Sequence, residues 1–373
     1  MSERKALTMS AGEFLQPISK PVTEPEISER FIPMVQGTAT NRLRLASTKD
    51  IRIDRNGNAI IEEEGFKAFM EGYAGLKSGL NTGAKKLLDA GAIELTKNNH
   101  YRPREGQPLE TGVFIPLEEY GSKRGYDLTP RQTETPEEAE AERKRLSNVM
   151  HEIRKRANAE LSVLFSLYLS WTEPGKKKDP DFDRVRVVQR TSIRNGKIFM
   201  RFSEDMAAYL MHAYQMQYPL ALQRIDERNP RAYNLGFSLS LHHSMDSNRA
   251  KGTADILSVK TLLKDCDLPT FEEVQASKDR GHWERRIKDP LEAALDSNVA
   301  TGVIQGWEYC NSKGVALEEG QVSIADYSTF IGLYVRFIME GEPDQSERLQ
   351  RKAERKEAAK SKRPRKKAAS KKE

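Results

Sequence analysis

The sequence predicts an α+β chain built of two halves with the same element order, and three observations carry that prediction. Helical-period segments that open on capping residues give way to period-two segments. Each half runs from a short helix to a longer basic helix and then to alternating strand-like runs. In the first half the pair Asn195-Gly196 separates two such runs, the strongest local signal for a hairpin, because both central residues of a type I′ turn need positive φ.

In chain order, residues 1–58 are rich in Pro, Thr, Ser and charge (PISKPVTEPEISERFIP) and are expected to be disordered or to form an arm. From Gly65 the spacing of Phe66, Phe69, Met70 and Tyr73 suggests a helix, and Thr82 is placed to cap a second one over 85–95, with Leu87, Leu88 and Ala92 on its apolar face. In VFIPLEEYGSKRG, Pro116 opens a short helix that Gly121 or Gly125 closes. Thr135-Pro136 starts the clearest helix, PEEAEAERKRLSNVMHEIRKRANA, with acids in its first turn and Leu146, Val149, Met150, Ile153 and Ala157 at helical spacing. The period then becomes two: Leu161, Val163, Phe165, Leu167, Leu169 and Trp171 alternate with polar residues and predict a strand. The loop GKKKDPD and the hairpin RVRVVQRTSIR-NG-KIFMRFS complete a first domain over 59–216.

A helix around 204–214 leads to the second domain, 217–342. There Ser258 caps a short helix that ends before Leu268-Pro269, and HWERRIKDPLEAALDSN sets Trp283, Ile287, Leu291 and Leu295 four residues apart. An alternating GWEYCNSKG follows, and residues 323–339 form a last amphipathic element. Residues 343–373 are a basic, solvated tail.

At 373 residues, with 37% hydrophobic and 31% charged residues, the chain is long enough for two cores and has no apolar run that would span a bilayer. MSERKALTMSAGEF lacks a secretory h-region, and Cys266 and Cys310 show no CxxC spacing, so a cytoplasmic location with free thiols is expected. The net charge of +6 has a specific origin: Ser346–Glu373 holds 13 Lys or Arg against 4 Asp or Glu, +9, and the rest holds 48 against 51, −3.

Catalytic motifs are missing from the sequence. Gly175-Lys176 and Gly196-Lys197 lack the upstream glycine of a phosphate-binding loop, and there is no HExxH or GxSxG. In LSLHHSMDSNR, His242 and His243 are adjacent and point apart on either a strand or a helix, which disfavours a shared metal. Glu62-Glu63-Glu64 and Glu118-Glu119 read as solvated faces. The expectation is a protein that is not an enzyme, with no cofactor and no metal.

A short helix, a tight break and a longer basic helix followed by a hairpin is the pattern of a winged helix-turn-helix, and the chain offers it twice. The longer helix fits a major groove, where arginine meets guanine bidentately, while a lysine-bearing wing rests on phosphate. In the second copy Arg285 and Lys288 lie about 100–120° off the apolar stripe, with Arg280, His282 and Arg286 at the flanks and Lys260 on the preceding helix. In the first copy the candidates are Arg143, Lys144, Arg154 and Lys155 on the helix, beside Arg145 and Arg156. Lys176, Lys177, Lys178, Arg194 and Lys197 are candidates on the wing. Arg363 and Arg365 represent the tail, which adds salt-sensitive attraction to phosphates.

From VFIPLEEY through the basic helix and KIFMRFS, and again over RAYNLGFSLSLHH, SVKTLLKDCDLPTFEEV and RRIKDPLEAALD, the chain resembles the two-winged-helix replication initiators of plasmids and related mobile elements. The resemblance covers roughly residues 75–312. The long connections at 97–112 and 126–135 and the basic tail depart from it. It implies two tandem winged-helix domains that bind repeated duplex sites at an origin, with the second domain making most base contacts. It leaves room for a homodimer and for host replication proteins as partners. A winged-helix transcriptional regulator of a mobile element is the alternative.

The resemblance also bears on YNLGFSLSLHH. Tyr233, Leu235, Phe237, Leu239 and Leu241 alternate like a strand, but Asn229-Pro230 is a helix start and the family pattern requires a helix there, which is the expectation. His242 and His243 would then close that helix, with Arg249 and Lys251 in the connection beyond it, within reach of phosphate.

Overall fold

A computed structural model describes residues 30–46, 51–75, 80–100, 107–172, 182–277, 282–317 and 326–339. The chain divides into a compact unit of residues 1–340 and a second of 341–373, and all described elements lie in the first. Helices and antiparallel sheets are mixed along it, an α+β arrangement.

The expected arm is instead partly core. β1 (Phe31–Gln36) is buried along its whole length and pairs with residues Tyr214–Pro219, and α1 (Thr38–Leu45) buries Ala39 and Leu43 beside it. A strand covered on both faces shows no alternation, so FIPMVQ carried no strand signal.

β2 (Arg52–Ile53), β3 (Ala59–Glu63) and β4 (Phe66–Met70) form a meander. The helix expected from Gly65 is therefore strand β4, with Phe66, Ala68 and Met70 inward and Phe69 on the opposite face against Tyr168. Phe66, Phe69, Met70 and Tyr73 mimicked a helical stripe because small Ala68 fills an inward position.

Next come α2 (Thr82–Asn98), β5 (Gly112–Pro116), α3 (Leu117–Lys123) and α4 (Pro136–Phe165). Asn81, not Thr82, caps α2, accepting the Ala84 N–H at 3.0 Å. Thr135 and Glu138 form the capping box that opens α4. This helix continues through Leu161, Val163 and Leu164, all buried, so the strand expected from Leu161 is shortened to β6 (Leu167–Trp171). Leu161 and Leu164 extend the Ile153/Ala157 stripe at spacings of three and four, which over five residues cannot be told from alternation.

β7 (Phe182–Arg186) completes a five-stranded antiparallel sheet in the order β2-β3-β4-β6-β7. The hairpin of β8 (Val188–Arg194) and β9 (Lys197–Phe202) forms as expected, with φ of 50° at Asn195 and 69° at Gly196. α5 (Glu204–His212) is capped by Ser203 and leads to β10 (Tyr214–Pro219).

In the second half, α6 (Pro230–Ser244) is a helix, in line with its Asn229-Pro230 start and against its alternating period. It is buried nearly all round from Ala232 to Leu241, so alternation carried no information about its outer face. α7 (Asp246–Ala250), β11 (Ile256–Ser258), α8 (Val259–Asp265, capped by Ser258) and α9 (Phe271–Ala276) lead to a π turn at Glu284–Lys288, which continues into α10 (Asp289–Thr301). β12 (Ile304–Cys310), α11 (Tyr327–Ile331) and β13 (Tyr334–Met339) end the described chain. The last amphipathic element is thus a short helix followed by a strand, and β13 is the partner of β12.

The order α2–β5–α3–α4–β8–β9 recurs as α6–β11–α8–α10–β12–β13, with α7, α9 and α11 added in the second half. Both sheets place the last strand between the other two, as β5-β9-β8 and β11-β13-β12. The five-stranded sheet is an elaboration of the first half, built from segments before α2 and between α4 and β8.

Candidate nucleic-acid interface

The rotation of the second-half basic helix is set by its apolar stripe. Trp283, Ile287, Leu291 and Leu295 are buried, and the Trp283 ring centre lies 5.2 Å from that of Phe330 and 5.7 Å from that of Tyr327. Pro290 has no N–H to donate, and the Asp289 N–H reaches back five residues to the Glu284 carbonyl, widening the turn. His282, Arg285 and Arg286 are consequently exposed and Lys288 is half-buried.

Arg285 and Arg286 share a cleft of about 480 Å³ with Arg231, Glu273, Val274, Pro269 and Pro290. Glu273 accepts the Thr270 N–H at 2.9 Å in the capping box of α9. Arg231 was not a candidate from the sequence. It stands immediately after Pro230 in the first turn of α6, where a cation opposes the helix dipole, and that misplacement was the available signal.

The His242–His243 end of α6 is tied to the chain that follows it. His242 Nε2 lies 3.0 Å from the Thr253 carbonyl, and His243 Nδ1 lies 2.5 Å from Asp255. Arg249 Nε donates to the His243 carbonyl at 2.7 Å, placing its charge at the helix C-terminus. Among the described residues no three His, Cys, Asp or Glu side chains assemble as metal ligands. Lys251 and Lys260 are exposed on the same half.

On the first half, Arg143, Lys144, Arg154 and Lys155 of α4 are exposed, as are Arg194 and Lys197 at the β8–β9 turn. Lys155 is 3.7 Å from Glu152. Arg145 and Arg156 are committed internally. Arg145 donates to the carbonyls of Asp127 and Thr129 and to Glu142, whose carboxyl falls to about 2 mainly through that hydrogen bond. Arg156 bonds to Glu160, Tyr126 and Glu227. Candidates Arg280, Lys176, Lys177, Lys178, Arg363 and Arg365 lie outside the described residues.

Both thiols, Cys266 and Cys310, are free and buried, and burial raises the pKa of each. No helix among the described residues is long and apolar enough to cross a membrane.

No family model matches the sequence, and no curated protein matches it. Among solved structures, the chain is similar to a Pi initiator protein crystallised in complex with iteron DNA. The identity is 11%, the match covers 85% of this chain and all of that one, and the TM-score is 0.45.

Proposed function

We propose that the chain binds duplex DNA sequence-specifically through two winged-helix modules, within residues 59–216 and 217–342, and initiates replication of a plasmid or related mobile element at origin repeats. The observation that carries this reading is the recurrence of one unit twice in the chain: helix, strand, short helix, long helix and two strands, with the last strand central in each sheet. That unit presents its longer helix for a major groove and its hairpin for the flanking phosphates.

In the second module the recognition surface is the π turn leading into α10, with Arg285 and Lys288 toward bases and Arg286, His282, Lys251 and Lys260 toward the backbone. In the first it is α4 with Arg143, Lys144, Arg154 and Lys155, and the β8–β9 tip with Arg194 and Lys197. The chain acts without a cofactor as a non-enzymatic cytoplasmic protein, and its basic tail adds sequence-independent attraction. The initiator role rests on the sequence resemblance, since one fold serves many functions.

The test is selection of bound sites from random duplex DNA, followed by replication of a plasmid carrying those sites in cells supplied with the protein. A defined site that supports replication is the expected result. A defined site that alters only transcription would reassign the chain as a regulator, and no enrichment of any site would remove the DNA reading.

A further inference from the structure

The outward face of the β5-β9-β8 sheet carries a second feature. Phe114 on β5 pairs directly with Phe199 on β9. Their ring centres are 5.0 Å apart with planes tilted by 41°, and Phe114 is 57% exposed. Gly112 leaves room for the Phe199 ring, since a Cβ there would stand 3.2 Å from it.

Cations flank this pair at both ends of the sheet. Arg190 pairs with Arg201 on one side, and Arg194 pairs with Lys197 on the other, all four exposed. Two residues along a strand is about 7 Å, so each cation row lies about that far from the rings. Arg201 is steadied by the Thr111 hydroxyl at 3.2 Å and by Glu204 at 3.8 Å, and no acidic residue occupies an outward position on the three strands.

From this arrangement we propose that the outward face of the β5-β9-β8 sheet binds single-stranded DNA, stacking unpaired bases on Phe114 and Phe199 and holding the backbone with Arg190, Arg194, Lys197 and Arg201. Aromatic faces accept any base, and a polyanion complements the cation rows. Single strands are held by that combination, whereas a duplex keeps its base faces stacked inside. A second copy of this chain meeting the same face would bring four more cations against the four present.

The test measures binding of the full chain to a 12-nucleotide oligothymidine with a fluorescent end label, alongside a selected duplex site. The variants are Phe114→Leu with Phe199→Leu, which keeps apolar volume but removes both π faces, and Arg190→Gln. The expected result is a loss of about tenfold or more in oligothymidine affinity for the double leucine variant. Duplex affinity and thermal midpoint should stay unchanged. For Arg190→Gln, the slope of log affinity against log salt should fall by about 0.7. A 2-aminopurine base placed in the oligonucleotide should report stacking with wild type and not with the leucine variant.

Equal oligothymidine affinity in wild type and the leucine variant overturns the proposal. So does a leucine variant that changes only the oligomeric state, which would make a second copy the occupant, or tighter binding of oligouridine than of oligothymidine, which would make the ligand RNA. Because the duplex arm reads separately, failure of the duplex reading leaves this result interpretable.

Discussion

Tyr233, on the first helix of the second repeated unit, donates its hydroxyl at 2.6 Å to Asp89 on the first helix of the first unit. The same carboxylate accepts from Tyr218 at 2.8 Å and from Arg44 Nε at 2.5 Å, and Asp89 and Arg44 are both fully buried. The two units are thus joined through a charged centre. Tyr233→Phe removes one bond and leaves Asp89 satisfied by two others, so about 1 kcal/mol of stability should be lost. Asp89→Asn leaves the Arg44 guanidinium buried without its counter-charge and should cost about 3–5 kcal/mol. Urea denaturation of the two variants checks this, and equal costs would mean that the charge is not what joins the units.

Lys86 makes a second junction. Its Nζ donates to the carbonyl of Gln223 at 2.9 Å and to that of Ile225, in the connector that precedes α6. Burial, then the nearby Arg124 and Arg156 charges, lower its pKa from 10.5 to about 7, against the opposing pull of Asp89 and Glu160. Between those two values the unfolded chain holds the proton and the folded chain has released it. Stability therefore rises with pH across this window, and the penalty is fully present below about pH 7. The stability of wild type minus that of Lys86→Met should increase by about 1–3 kcal/mol from pH 7 to pH 9.5. Using the difference removes contributions from Lys85 and the buried tyrosines. A flat difference in chemical denaturation would show that Lys86 stays protonated throughout.

Both junctions show where the sequence was legible. The Thr135 cap, the Asn195-Gly196 turn and the Trp283–Leu295 stripe are local signals, and each formed as read. The burial of β1, the strand character of Phe66–Met70 and the pairing of β12 with β13 depend on partners far away in the chain, so no local period marked them. The same limit hid the Phe114–Phe199 pair, whose members lie on elements distant in sequence. Charge alone could not separate Arg145, bonded to main-chain carbonyls, from exposed Arg143 two residues earlier.

Gly236 tests the packing behind the recognition surface. A Cβ at this position of α6 would fall 2.1 Å from Asn298 Oδ1 on α10 and 2.7 Å from Leu222. Asn298 in turn donates to the Ala232 carbonyl at 2.9 Å, so α6 and α10 touch backbone to side chain. Gly236→Ala gains helix propensity but must push α10 away, and a net loss of about 1–3 kcal/mol is expected. Because α10 carries Arg285 and Lys288 at its entrance, duplex affinity should fall together with the thermal midpoint. A variant that melts earlier yet binds duplex normally would show that the α6–α10 contact does not position the basic turn.

The sharpest contrast for the DNA reading lies between Arg285 and Arg145. Arg285 is exposed in the cleft beside Arg231, on a turn whose rotation Trp283 and Ile287 fix, whereas Arg145 is occupied with Glu142, Asp127 and Thr129. Arg285→Ala should cost about 1–3 kcal/mol of duplex affinity and relax preference at one base position, with little effect on folding. Lys288→Ala should act in the same direction. Arg145→Ala should loosen the start of α4 and its preceding loop, seen as faster amide exchange there, while leaving site preference intact. Site selection repeated with each variant gives the comparison. If Arg145→Ala changed the preferred site and Arg285→Ala did not, the base-reading helix would be α4 instead of the turn that leads into α10.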